Sequence, residues 1–357
     1  MKSSNSLWIL TLRKFQRNTT GVLSLSYIVL CGLVALFCYL LAPDNSNAAN
    51  QMHIEIHSKK PGFSSQMLLL PSENKTKSSW LSTLFFGKKD NPKEIPILSY
   101  NILEEYISVK KYDGSTKNYK LELFQNNPEN YITKKTFYLG TDKFGRDLLS
   151  RILIGTRISF SIGFIAVFIS LLIGIPIGAI AGYFGGKIDA FIMWIINITW
   201  SIPTLLLVIA ITLTLGKGFW QVFIAVGLTM WVEVARIVRG QVITTKQQQY
   251  IEAAKALGYS HARIIFKHIL PNILAPIIVI SAANFAAAIL IESGLSFLGI
   301  GAQPPTPSWG AIIKNHYNYI ILGKPFLALA PGIAIMSLVM AFMLLGNSLR
   351  DALDVKS

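Results

Sequence analysis

The stretch ISFSIGFIAVFISLLIGIPIGAIAG, residues 158–182, contains no charged residue. About 20 consecutive apolar residues suffice for a helix to cross the hydrocarbon core of a bilayer, and this run exceeds that. Working outward, runs of the same character lie near 21–42, 190–215, 218–238, 273–299 and 326–346. Composition agrees: 52% of the 357 residues are hydrophobic and 14% are charged, where a soluble chain carries about a quarter charged. The expected architecture is an all-α polytopic membrane protein with six transmembrane helices.

The net charge is +15, from 33 Lys and Arg against 18 Asp and Glu. The basic residues are spread through the hydrophilic segments and form no patch interleaved with aromatics. Membrane topology therefore accounts for them, and no nucleic-acid partner is expected. Lys2, Arg13, Lys14 and Arg17 precede the first span without an acid, which places the N-terminus in the cytoplasm. Counting spans puts 43–157 outside, and 239–272 and the C-terminus inside. Arg146, Arg151 and Arg157 run against this rule, with Asp142 and Asp147 offsetting part of their charge. RDLLSRILIGTRISF (146–160) predicts an interfacial amphipathic helix whose arginines snorkel. Cys31 and Cys38 both fall in the first apolar run, so no disulfide framework is expected. That run is too long for a signal-peptide core and reads as an uncleaved anchor.

Residues 43–139 form a long polar insertion, expected to be a small extracytoplasmic α+β domain. MHIEIH (52–57) alternates like a strand, and YISVKKYDGSTKNYKLELF (106–124) predicts a hairpin turning at Asp113-Gly114. His53 and His57 would share one strand face, as a metal pair lacking a third ligand or as two exposed histidines. Asn74 in ENKT matches a glycosylation acceptor. The insertion either seats an external partner or is a passive elaboration.

Between the fourth and fifth runs lies EAAKALGYSHARIIFKHILP (252–271). TKQQQYIEAAKAL is rich in helix formers, with Tyr250, Ile251, Ala254 and Leu257 on one face. Gly258 suits a left-handed position that ends this helix. Ser260 can cap the next, HARIIFKHIL, and Pro271 marks its end. The product is a helix–turn–helix under the bilayer with basic and apolar surface together. Anionic lipid is one candidate partner. Another protein is the other, because Ala253-Ala254 permits close approach and Glu252 stands alone among cations.

Several residues carry two readings. Glu292, inside the fifth run, either lines a translocation path or has a structural role as a cap or a partner to a buried arginine. Glu233 is expected to pair with Arg236 one turn on. Pro203 should kink the third span, as a hinge or to shape a cavity. SAANFAAA (281–288) offers small residues for helix packing, and PPTPSWG (304–310) a stiffened external loop. There is no HExxH, GxSxG, membrane aspartate pair or P-loop, so neither enzymatic chemistry nor self-energised transport is expected. A channel reading lacks a recognisable filter.

EAAKALG followed by LP resembles the EAA loop of ABC-importer permeases, matching at Glu252, Ala253, Ala254, Gly258, Leu270 and Pro271. His268 departs from the broad pattern, and HILPN with that histidine resembles the peptide-importer branch. GTDKFGRDLLSRILIGTRISF (140–160), GYFGGKIDAFIMW (182–194) and LSFLGIGAQPPTPSWG (295–310) resemble the C-type subunit of that oligopeptide and dipeptide branch. The resemblance covers 140–357 and much of the first span, not 43–139.

It implies a type I importer permease built as 1–42, an insertion at 43–139 and a core at 140–357 carrying a coupling loop at 240–272. It implies a second permease subunit, two cytoplasmic ATPase subunits that use ATP and Mg, and an extracytoplasmic substrate-binding protein. This chain would itself be non-catalytic and bind no cofactor, in the bilayer of the bacterial inner membrane. Short peptides are the implied cargo, with nickel chelates or glutathione-like conjugates as alternatives.

Overall fold

The structure, a computed structural model, describes residues 7–71, 79–88, 92–124, 128–216 and 218–353. It begins with α1 (Leu7–Arg17) and α2 (Thr19–Leu41). Then come β1 (Phe63–Leu70), α3 (Trp80–Phe86), β2 (Lys93–Ile97), β3 (Ser99–Ile102), β4 (Tyr106–Lys110), β5 (Thr116–Lys120) and β6 (Ile132–Phe137). Helices follow: α4 (Leu148–Phe184), α5 (Gly186–Ser201), α6 (Thr204–Leu215), α7 (Phe219–Lys246) and α8 (Gln249–Ala256). The last are α9 (His261–Leu298), α10 (Trp309–His316) and α11 (Phe326–Leu353).

Among the described residues five helices, α2, α4, α7, α9 and α11, are long and apolar enough to cross a membrane. A sixth crossing would use α5 and α6 together, which meet at 90°. Pro203 thus does more than kink a span: α5 stops at Ser201 and α6 restarts at Thr204, with Ile202 and Pro203 extended between them. Proline cannot donate a backbone bond and biases the residue before it away from helix, so the helix breaks.

By contacts the chain forms two compact units: residues 1–31, 159–303 and 335–357, and residues 32–158 with 304–334. In the second, two three-stranded antiparallel sheets form, ordered β2-β1-β6 and β3-β4-β5. Leu68, Ile95 and Ile97 from one sheet pack with Ile107, Val109 and Tyr119 from the other. The hairpin at Asp113-Gly114 forms as expected, with Ile107 opposite Tyr119. Asp113 accepts from the Ser115 hydroxyl and amide, which holds its carboxyl below the usual range.

MHIEIH is not a strand. Ile54–Ile56 is a single 3-10 turn, because the segment bonds the loop before α4: His53 N–H to the Phe144 carbonyl, Ser58 N–H to that of Asp142. His53 lies 3.5 Å from the Glu94 carboxylate, and His57 faces the Ser58 hydroxyl. No metal-binding cluster occurs among the described residues. Asn74 lies outside them.

The expected snorkelling helix is also replaced. α4 runs unbroken from Leu148, 37 residues or about 55 Å, against a core of about 30 Å. The arginines at its start and just before it turn into protein. Arg146 pairs with Asp142 at 2.7 Å, and Arg151 donates to the Ala48 and Ala49 carbonyls. Arg157 donates to carbonyls of Ala35, Leu36, Leu84 and Phe85.

The 304–310 loop is anchored by Trp309, which is buried and donates through Nε1 to the Ile152 carbonyl. Ser308 caps α10, and His316 at its end is 1% exposed. The ring donates from Nδ1 to the Ile312 carbonyl at 2.7 Å, and its Nε2 accepts the Lys143 amide at 3.3 Å. Accepting the Lys143 amide needs the neutral ring, whereas the donation to Ile312 survives protonation. Burial pushes its pKa below the ordinary histidine value, Lys143 and Arg146 add to this, and the Ile312 bond and Asp142 oppose it. Its contribution to stability is therefore complete above about pH 6.5, the unfolded value. It falls as the pH drops from there towards the folded value, where the unfolded state binds the extra proton. Thermal unfolding at pH 7.5 and 5.5 should show this loss, and His316→Gln, which can make both bonds without titrating, should flatten it.

Candidate functional site

The segment 249–273 is built on the ends of three long helices. Ile251 and Ala254 of α8 are buried, as are Ile264, Ile265, Ile269 and Ile273 of α9. They pack with Ala179 and Tyr183 of α4 and with Val234, Val238 and Val242 of α7. Each buried aliphatic side chain contributes about 1.5–3 kcal/mol, so α8 is fixed to these helices rather than hung from a loop.

Polar contacts close the same joint. The Tyr183 hydroxyl and His261 Nδ1 hydrogen-bond at 2.8 Å, and Lys246 Nζ donates to the Tyr183 carbonyl. Asp189 in the first turn of α5 takes both arms of Arg239 on α7, at 2.5 and 2.6 Å. Arg236 stacks over Trp200 at 3.4 Å and donates to Asn197. It does not make the expected contact with Glu233, which is exposed, because a facing aromatic ring and amide lie within its reach.

α4 and α7 approach closely along Gly174, Gly178 and Gly182. A Cβ there would lie 2.7 Å from the Trp231 carbonyl oxygen, 2.3 Å from that of Ala235 and 2.7 Å from that of Arg239. This contact is not among those read from the sequence above, although small-xxx-small spacing at Gly174, Gly178 and Gly182 is a signal that could have found it. Gly178→Val should force the helices apart and cost more than about 3 kcal/mol, since backbone cannot yield as a side chain can. Loss of folded yield in detergent, against near-normal yield for Gly332→Val, which has open space, checks this.

The turn follows the sequence reading. α8 is capped by Leu257, Gly258 has φ +76°, and the Tyr259 N–H reaches the Ala254 carbonyl. Ser260 accepts from the Arg263 N–H. His268, which departs from the broad motif, stacks on Tyr259 at 5.7 Å, and the Arg263 guanidinium lies 5.1 Å from the same Tyr259 ring.

Pro271 does not end the second helix, which continues as α9 to Leu298. Residues Ile264–Ile269 widen into a π-turn and Leu270–Ile273 tighten into a 3-10 turn. Leu270 N–H bonds the Ile265 carbonyl, and the Asn272 side chain donates to that of His268. The extra residue in the π-turn gives the proline ring room against the preceding turn.

Seen from outside, the segment presents Tyr250 (44% exposed), Leu257 (72%) and Phe266 (67%) beside exposed Lys255, Arg263 and Lys267. Glu252 and Ala253 are exposed, while Ala254 faces inward. The expected apolar face is thus split: Ile251 and Ala254 hold the chain's own core, and Tyr250 and Leu257 point away. The Ala253-Ala254 pair serves two surfaces.

Glu292 on α9 is fully buried and accepts the Ser296 hydroxyl at 2.6 Å. Ser296 in turn accepts the Ala302 N–H, tying the helix end to the following loop. Ala282, in the small-residue stretch, packs under Gly346 of α11.

A bundle of apolar helices long enough to cross a bilayer, with one surface turn packed on three of them, defines a multi-pass membrane protein. Residues 174–356 match the family described as binding-protein-dependent transport system inner membrane component. Residues 6–61 match the N-terminal TM domain of oligopeptide transport permease C. The chain belongs to this family of inner-membrane transport permeases. It is 43% identical over 234 residues to the dipeptide transport system permease protein DppC of Alkalihalophilus pseudofirmus, covering 65% of this chain and 77% of that protein. It is 42% identical over 219 residues to the glutathione transport system permease protein GsiD of Pectobacterium atrosepticum, covering 61% and 72%. A solved structure of the MetNI methionine ABC transporter aligns with a TM-score of 0.45 at 20% identity, covering 57% of this chain and 96% of that one.

Proposed function

We propose that this permease is the C-type subunit of an importer for short peptides, and that residues 249–271 receive the movement of a cytoplasmic ATPase subunit. In this reading Glu252, Ala253, Gly258 and Pro271 shape the docking turn, while Ala254 and Leu270 attach it to the spans. Both termini lie in the cytoplasm and the strand-bearing insertion outside. A second related permease completes the pathway, two ATPase subunits use ATP and Mg, and a binding protein delivers the cargo. Relatives named for dipeptide and glutathione transport support a short, peptide-like cargo.

The observation that carries the coupling role is the exposed apolar and basic face of Tyr250, Leu257, Phe266, Lys255, Arg263 and Lys267 on a segment packed into α4, α7 and α9. A push on α8 is transmitted to those helices because Ile251 and Ala254 leave no slack. Alternating access then follows as a shift between two packings of the spans. In this reading Glu292 and Pro203 contribute structurally to that bundle rather than lining the pathway.

The test is purification of the tagged chain in mild detergent with its partners identified by mass spectrometry. A second multispan permease and P-loop ATPases should be recovered, and Leu257→Asp with Phe266→Asp should lose the ATPases while retaining the permease. Recovery of this chain alone, under conditions that preserve a known transporter, would sink the proposal.

A further inference from the structure

α3 is the seven-residue helix WLSTLFF, with one buried residue, Leu84. Trp80 is 66% exposed, Leu81 56%, Phe85 49% and Phe86 64%. Isolated apolar residues on a surface need no explanation, but four on two turns of helix form a patch that marks an interaction. The helix carries no charge, and exposed Lys88 follows it closely.

Arg157 fixes where this patch lies. One guanidinium donates to the Ala35 and Leu36 carbonyls of α2, at 2.8 and 2.7 Å, and to the Phe85 and Leu84 carbonyls of α3, at 2.8 and 3.0 Å. A planar group so small holds the C-terminal end of α3 directly beside Ala35 and Leu36. Gly87, which ends α3, lies against the Tyr39 ring of α2, where a Cβ would come within 2.8 Å. Tyr39 is also under the Arg157 cation, at 5.3 Å.

Ala35 and Leu36 are inside the spanning helix, not at its mouth. α2 continues to Leu41 past a kink at Phe37, so five to six residues, about 8 Å of rise in a straight helix, separate them from its end. That is the depth, about 5–10 Å, at which interfacial helices bury their apolar faces. Leu36, Phe37, Leu40 and Leu41 of α2 are themselves exposed at this level. The α3 patch is thus held beside exposed apolar side chains of a helix long and apolar enough to cross a bilayer, and its tryptophan suits the headgroup boundary.

We propose that α3 is an interfacial anchor. Trp80, Leu81, Phe85 and Phe86 occupy the acyl–headgroup boundary of the leaflet at the C-terminal end of α2. Arg157 fastens the anchor to the span by satisfying the carbonyls at both places. α3, which lies between β1 and β2 in sequence, is thereby held down on the bilayer and restrains the sheet that those strands form. The partner is the lipid itself, and the anchor operates whatever the transporter carries.

The experiment places a nitroxide at Trp80→Cys or Phe86→Cys, in a Cys31→Ser, Cys38→Ala background, with the transporter reconstituted in phosphatidylcholine–phosphatidylglycerol vesicles. Ser115→Cys, in the exposed turn between β4 and β5, is the aqueous control. Power saturation should show collision with oxygen retained and collision with a water-soluble nickel complex lost, relative to Ser115. Nickel access equal to the control would overturn the proposal, since the helix would face water. Low access to both would also overturn it, since protein would cover the patch. A second measurement avoids the cysteine background: lipids brominated near the headgroup should quench the wild-type tryptophan emission more than that of Trp80→Phe. Equal quenching of the two would again count against the anchor.

Discussion

Gly258→Pro should abolish uptake while leaving the chain in the membrane with its spans assembled. Gly258 sits at φ +76° and its N–H reaches the Lys255 carbonyl. Proline is locked near −65° and has no N–H, so the turn must rebuild and α8 must leave its place on α4 and α7. Gly258→Ala separates conformation from space. Nothing lies within 4 Å of a Cβ there, so only the left-handed strain remains, about 1–2 kcal/mol, and uptake should be reduced rather than lost. Glu252→Lys completes the series. Glu252 is exposed in the first turn of α8, where its charge contributes about 0.3–1 kcal/mol to the helix. Lost uptake with normal assembly in this variant would therefore report on the partner surface. The readout is peptide uptake alongside ATP hydrolysis in vesicles: hydrolysis without uptake is the uncoupled state. Normal uptake by Gly258→Pro would remove the coupling role from this segment.

The largest stability effect is expected at Asp142. It is 0% exposed, and its Oδ1 accepts the amides of Phe144 and Arg146 while Oδ2 accepts Arg146 Nε at 2.7 Å. Arg151 Nε approaches the same oxygen at 3.8 Å. Asp142→Ala leaves two buried guanidinium groups without their carboxylate, a change that costs about 3–5 kcal/mol. Asp142→Asn should cost nearly as much, since its amide either turns a donor towards Arg146 or surrenders the two backbone bonds. Limited trypsin digestion should then cut readily within the lysine-rich strands, and the thermal midpoint should fall. A midpoint unchanged in both variants would show that this network is not what holds the loop before α4.

These residues also show how far the sequence could be read. Uncharged runs such as 158–182 announced the spanning helices because the bilayer imposes one length and one composition on any crossing. Gly258 and Ser260 announced the turn, since a left-handed backbone and an unpaired helix N-terminus each favour few residue types. The Asp113-Gly114 hairpin was legible for the same reason. MHIEIH was misread because its alternation describes side chains, whereas its backbone partners lie in Phe144 and Asp142, far along the chain. Pro271 was misread as a stop because one proline predicts a lost bond but not the π-turn that accommodates it.

The arginines mark the boundary most clearly. Arg146, Arg151 and Arg157 read as snorkelling because their partners are carbonyls and a carboxylate that only folding gathers around them. In the coupling segment, the sequence by itself determined a basic and apolar helix–turn–helix. Only the tertiary structure decided that Ile251 and Ala254 face the spans while Leu257 and Phe266 face away. The physical reason is that periodicity fixes which residues share a face of one helix. Which face is covered depends on the neighbours that α4, α7 and α9 bring to it, and those neighbours are distant in sequence.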